Sequence, residues 1–95
     1  VGLTQSLSRE LGKYNITVNA VCPGAMDTPL VRRLWQQHAD LLGISFQEYY
    51  NQKVVSIPLG RLCTTQEVAE VIKFLASEKA SFISGAVIDI AGGEV

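Results

Sequence analysis

The chain has 95 residues, 47% apolar and 18% charged, with a formal net charge of −1. Nothing in that balance points to nucleic acid or to an anionic membrane surface. An interior this apolar in so short a chain points to buried faces that continue into further chain or a partner.

In the first stretch Leu3, Leu7 and Leu11 fall four apart, which predicts a helix with one apolar face. Thr4 and Ser8 beside them are small enough for another helix to approach, and Gly12 suits a left-handed helix end. ITVNAV, residues 16–21, predicts a strand. Neither of its faces is strongly polar, as in a parallel strand covered on both sides. Pro23 and Gly24 then stop it and open a loop.

Thr28 is placed as an N-cap, and Pro29 fits the first helical position, where no N–H is needed. Leu30, Val31, Leu34, Trp35, His38, Leu41 and Leu42 continue at helical spacing until Gly43. Ser45 and Glu48 form a capping box for the next helix, and Thr64 and Glu67 form a second. In that last helix Val68, Val71, Ile72 and Leu75 keep the helical period. AVIDI, residues 86–90, is a short apolar strand closed by AGG. Two apolar strands separated by helices predict a parallel pair in an α/β fold. Such a pair is poorly stable alone, so a larger sheet is expected around it.

No apolar run reaches membrane-spanning length. The opening VGLTQSLSRE has neither an initiator methionine nor the basic region of a signal peptide. A cytoplasmic protein without membrane or nucleic-acid partners is expected, with this chain a segment of a longer product. Cys22 and Cys63 are too few for a disulfide framework and are expected as buried thiols.

The stretches GLTQSLSRELGKYNITVNAVCPGAMDTPL, PLGRLCTTQEVAEVIKFLAS and SFISGAVIDIAGG, taken in order, resemble the C-terminal part of the short-chain dehydrogenases/reductases. The resemblance covers residues 1 to about 93 and joins several motifs in register. It implies the C-terminal part of a Rossmann-type doubly wound parallel sheet, with residues 1–95 in a single NAD(P)-binding domain. It also implies a nicotinamide cofactor, NAD or NADP, and hydride transfer with a small-molecule alcohol or carbonyl. The long insert resembles family members acting on polyols, hydroxy acids or acetoin-like substrates. A homo-oligomer, dimer or tetramer, is implied too.

By the same resemblance Pro23, Gly24, Ala25, Met26 and Thr28 form the loop beside the nicotinamide, with Thr28 bonding its carboxamide or the diphosphate, and about 29–57 form a substrate lid. A glycine backbone can approach a ligand closely, and a threonine hydroxyl both donates and accepts. The family's glycine-rich turn, catalytic serine and Tyr-x-x-x-Lys pair are expected upstream of Val1. No catalytic residue and no metal ligand is assigned in this chain. At the last strand Ala91 stands where the family often has aspartate.

Tyr49 and Lys53 also spell Tyr-x-x-x-Lys, but inside the lid, so packing or substrate contact is the expected role. His38 lacks a companion cluster of ligands and is expected as a lid or interface residue. Arg32 and Arg33 are expected to be solvated, with contact between a lid arginine and an anionic substrate group as the alternative. The competing reading is a catalytically inactive truncated module for structure or oligomerisation.

Overall fold

The structure, a computed structural model, describes residues 1–94, so Val95 of the expected 1–95 segment lies outside the described residues. The described chain forms two compact units. One contains Val1–Pro23 and Gln66–Ile90; the other contains Gly24–Thr65 and continues from Ala91 onward.

In the first unit, helix α1 (Gly2–Leu11) runs into a 3₁₀ turn at Gly12–Tyr14. The left-handed stop expected at Gly12 falls instead at Asn15, whose φ is 60°, while Gly12 is right-handed with φ −58°. Asparagine tolerates the left-handed region better than most residues, so the chain coils three residues further before turning. Strand β1 (Ala20–Pro23) pairs in parallel with β4 (Val87–Ile90), Ala20 opposite Val87 and Pro23 opposite Ile90. Helix α4 (Thr65–Leu75) starts directly after Thr64 and precedes β4.

The strand expected from Ile16 begins only at Ala20. Ahead of it, side chains take over part of the ladder. Val18 donates its N–H to Ser84 Oγ at 3.1 Å. The Asn19 amide donates to the Ile83 carbonyl at 3.0 Å and accepts from the Ala86 N–H at 3.0 Å. These bonds satisfy backbone groups that a regular ladder would otherwise pair.

The second unit holds two features with different legibility. Helix α2 (Pro29–Leu42) begins and ends where the sequence predicts, and α3 (Phe46–Val54) begins at its predicted capping box. Gly43 adopts φ 70° and receives α2's end, while Ser45 Oγ accepts the Glu48 N–H at 3.1 Å to start α3. Two short parallel strands, β2 (Met26–Asp27) and β3 (Cys63–Thr64), are additions to the predicted order. The unit's core is Val54, Ile57 and Leu62, with Val31, Trp35 and Tyr50 packed against it. Each buried aliphatic side chain there contributes about 1.5–3 kcal/mol.

Neither thiol is buried as expected. Cys22 is exposed near the end of β1, and Cys63 is half-buried, its thiol donating to the Thr64 carbonyl at 3.4 Å. The last two residues of β1 are exposed in a unit where β4 is its paired strand. A two-stranded ribbon covers its members incompletely, which leaves the Cys22 side open.

Candidate nicotinamide-side loop

The loop Gly24–Thr28 follows the carboxyl end of a parallel strand, where open α/β sheets place their ligands. Pro23 is the last residue of β1. Gly24 and Ala25 are exposed, and the Ala25 carbonyl accepts the Cys63 N–H at 3.0 Å. Met26 and Asp27 then form β2, opposite Cys63 and Thr64. The β2–β3 ladder thus holds one side of the loop by backbone hydrogen bonds.

Thr28 is half-buried and extended, with φ −127° and ψ 159°. Its Oγ1 accepts the Val31 N–H at 3.2 Å, and its carbonyl accepts the Arg32 N–H at 3.0 Å. A hydroxyl that accepts one bond retains its own proton and a second lone pair. Capping α2 and meeting a polar ligand group are therefore compatible roles for one oxygen. The donor set fits the carboxamide end of a nicotinamide: Thr28 offers an O–H, and the exposed Gly24 lacks a side chain that would block approach.

Asp27 anchors the next turn. Its carboxylate takes two bonds from Arg32, Nε to Oδ1 at 2.7 Å and Nη2 to Oδ2 at 2.8 Å. The Arg32 guanidinium also lies 5.5 Å from the Phe46 ring centroid. Hydrogen bonding from Arg32 holds the Asp27 carboxyl below its usual range, and the same bond raises the guanidinium. Arg32 is therefore paired, not merely solvated as its sequence context suggests. The available signal was a conflict: a cation in the early turns of α2 opposes the helix macrodipole. A carboxylate just ahead of the cap relieves that conflict.

Farther along the hairpin, Tyr49 is 8% exposed. Its hydroxyl is hydrogen-bonded to His38 Nδ1 at 2.9 Å, and its ring packs edge-on to Trp35 with centroids 5.8 Å apart. Lys53 Nζ sits over the Tyr49 ring, 5.5 Å from its centroid. The ammonium is thus directed at the ring face, while histidine occupies the hydroxyl. Tyr50 OH accepts the Leu62 N–H at 3.2 Å and ties α3 to the chain leading into β3. The His38–Tyr49 bond, eleven residues apart, was not legible from either residue alone. Among the described residues no group of three or more His, Cys, Asp or Glu side chains could hold a metal, and no helix is long and apolar enough to cross a membrane.

Residues 1–94 match the family described as enoyl-(acyl carrier protein) reductase. The chain is 43% identical over 93 residues to a 3-oxoacyl-(acyl-carrier-protein) reductase of Pseudomonas aeruginosa, covering 97% of this chain and 33% of that protein. It is 44% identical over 94 residues to the corresponding reductase of Mycobacterium tuberculosis, covering 98% and 33%. Among solved structures, a short-chain dehydrogenase family protein of Francisella tularensis superposes with a TM-score of 0.87 at 46% identity, covering 98% of this chain and 38% of that one. Sorbitol-6-phosphate 2-dehydrogenase of Erwinia amylovora superposes with a TM-score of 0.82 at 40% identity, covering 99% and 37%. The chain spans about a third of the length of the curated relatives it matches. Parallel strands, alternating helices and an alignment that runs along almost the whole chain lead to one family: the chain belongs to the short-chain dehydrogenases/reductases and corresponds to their C-terminal segment.

Proposed function

We propose that this chain is part of a single NAD(P)-binding domain in an oxidoreductase that interconverts a carbonyl and a secondary alcohol. Its own contribution is the nicotinamide-side loop, Pro23, Gly24, Ala25, Met26 and Thr28, together with a substrate lid over residues 29–57. The observation that carries this reading is Thr28: a half-buried hydroxyl after a parallel strand, capped on one side and still able to donate. When bound, the nicotinamide supplies the hydride chemistry; the chain's residues bind and orient it. Thr28 holds the carboxamide end through its O–H. The α2–α3 hairpin excludes water and supplies substrate contacts, which strengthens polar interactions in the site.

The proton-transfer residues belong to the part of the protein outside these 95 residues, as the family resemblance implies. By itself the chain is catalytically inactive. Two similar solved reductases, an actinorhodin polyketide ketoreductase and an L-sorbose reductase, hold NADPH. That supports a nicotinamide cofactor; the choice between NAD and NADP stays as open as the family resemblance leaves it. The substrate is a small carbonyl or alcohol of the polyol or hydroxy-acid type. As the family resemblance implies, the whole protein is a cytoplasmic homo-oligomer; the exposed Ile72, Phe74 and Phe82 are apolar faces for further chain or a partner subunit to cover.

The test compares Thr28→Ala with Thr28→Ser in the full-length protein. Loss of one hydrogen bond weakens cofactor binding by about 0.5–1.5 kcal/mol, and serine restores it. Unchanged cofactor affinity in Thr28→Ala, with only a lower Tm, would reduce Thr28 to a helix cap and remove the assignment.

A further inference from the structure

The closing AGG stretch has no role in the reading above, yet its two glycines fit closely against the connection that follows α3. Gly92 and Gly93 have φ of 60° and 92°, a region that side chains disfavour. A Cβ on Gly92 would stand 2.9 Å from Ile57 Cγ2, and one on Gly93 would stand 2.9 Å from Pro58 Cγ. Ile57 is buried in the unit's core and the proline ring is rigid, so neither neighbour yields easily. The Gly92 carbonyl accepts the Leu59 N–H at 3.0 Å. Ser56 Oγ donates to Glu94 Oε2 at 2.7 Å. Four consecutive residues, Ser56 to Leu59, therefore rest on three consecutive ones, Gly92 to Glu94.

Those four residues lie in the connection from α3 to β3, the return hinge of the α2–α3 hairpin. Within them the Gly60 N–H donates to the Ile57 carbonyl at 2.7 Å, closing a tight turn. The hinge at the other end of the hairpin is fixed by the Thr28 cap and the Asp27–Arg32 pair. The return hinge, Ser56 to Leu59, packs on the chain's closing turn.

We propose that the Ala91–Glu94 turn is the seat of the lid's return hinge, with Gly92, Gly93 and Glu94 as positioning residues for substrate binding. The proposal rests on the reading of residues 29–57 as a substrate lid. Ala91, where the family often has aspartate, fits it: the seat works through backbone and the Glu94 carboxylate, not through the side chain at position 91.

The experiment uses the full-length protein with the variants Gly92→Ala, Ser56→Ala, Glu94→Ala and Glu94→Gln. Hydrogen exchange at the Leu59 amide reads the seat directly. NADPH consumption with a 3-oxoacyl thioester and with L-sorbose as probe substrates reads its consequence. Gly92→Ala speeds Leu59 exchange about tenfold or more and raises KM for the probe with kcat nearly unchanged. Ser56→Ala and Glu94→Ala each speed exchange about two- to fivefold, the double variant adds little, and Glu94→Gln stays close to wild type.

Gly43→Ala is the control. Gly43 has φ 70° but nothing within 4 Å of an added Cβ, so it carries backbone strain without a seat and leaves Leu59 exchange unchanged. Unaltered Leu59 exchange in Gly92→Ala overturns the seat. Faster exchange with KM and kcat both unchanged overturns the positioning role. A wild-type protein that turns over neither probe and binds no nicotinamide cofactor defeats the functional reading, while Leu59 exchange still decides the seat.

Discussion

Replacing Tyr49 by phenylalanine removes one hydroxyl and keeps the ring. The ring's edge-on contact with Trp35, at 5.8 Å between centroids, and its burial both survive. What is lost is the 2.9 Å hydrogen bond to His38 Nδ1. A typical intramolecular hydrogen bond is worth about 0.5–1.5 kcal/mol net. His38 is exposed, so water can replace the lost partner, and the lower half of that range applies. We expect Tyr49→Phe to cost about 0.5–1 kcal/mol by urea denaturation of the full-length protein. Tyr49→Ala, which also empties the ring's place, costs about 3–5 kcal/mol.

The rate distinguishes packing from catalysis. A tyrosine acting as proton donor would make its own phenylalanine variant slow by orders of magnitude. We expect kcat of Tyr49→Phe to stay within about threefold of wild type, since Lys53 addresses the ring and His38 occupies the hydroxyl. A fall of about a thousandfold with cofactor binding and Tm preserved would refute this reasoning. It would place the chemistry on the Tyr49–Lys53 pair inside the hairpin.

Other outcomes follow from the second unit's contacts and from the proposed division of labour. Asp27 has its carboxyl held down by Arg32, so its contribution to stability is complete above the ordinary carboxylate value of about 3.9. That contribution disappears as pH falls through the lowered folded value. The gap in denaturation midpoint between wild type and Asp27→Asn therefore closes toward pH 2, and a gap that persists there contradicts the ion-pair account. Leu62→Ala, at 3% exposure in the core with Val54 and Ile57, costs about 2–5 kcal/mol in the same assay. A cost near zero would mean that this cluster does not hold the unit together. Titrated in a calorimeter, the 95-residue chain by itself takes up neither NAD nor NADP with micromolar affinity; tight binding would contradict a pyrophosphate site outside it.

The sequence by itself determined the elements whose signals are local. Thr28–Pro29 starts α2, Gly43 ends it, and Ser45 starts α3, because a cap needs only neighbours a few residues away. The apolar runs around Ala20 and Ile88 identified two strands, and their separation by helices identified them as parallel. The family motifs were legible for the same reason: each is a short contiguous string. Tertiary structure decided everything that joins distant strings. Two-residue strands such as Met26–Asp27 and Cys63–Thr64 have no periodicity to detect, and only the fold brings them together. The stop after α1 moved from Gly12 to Asn15 because helical bonding continued through the glycine and asparagine tolerates the left-handed turn that follows. Arg32 met Asp27 across the start of a helix, and His38 met Tyr49 across the hairpin. Gly92 met Ile57 after a separation in sequence that no local pattern spans. A side chain's type limits which partners it can accept; chain closure chooses among them.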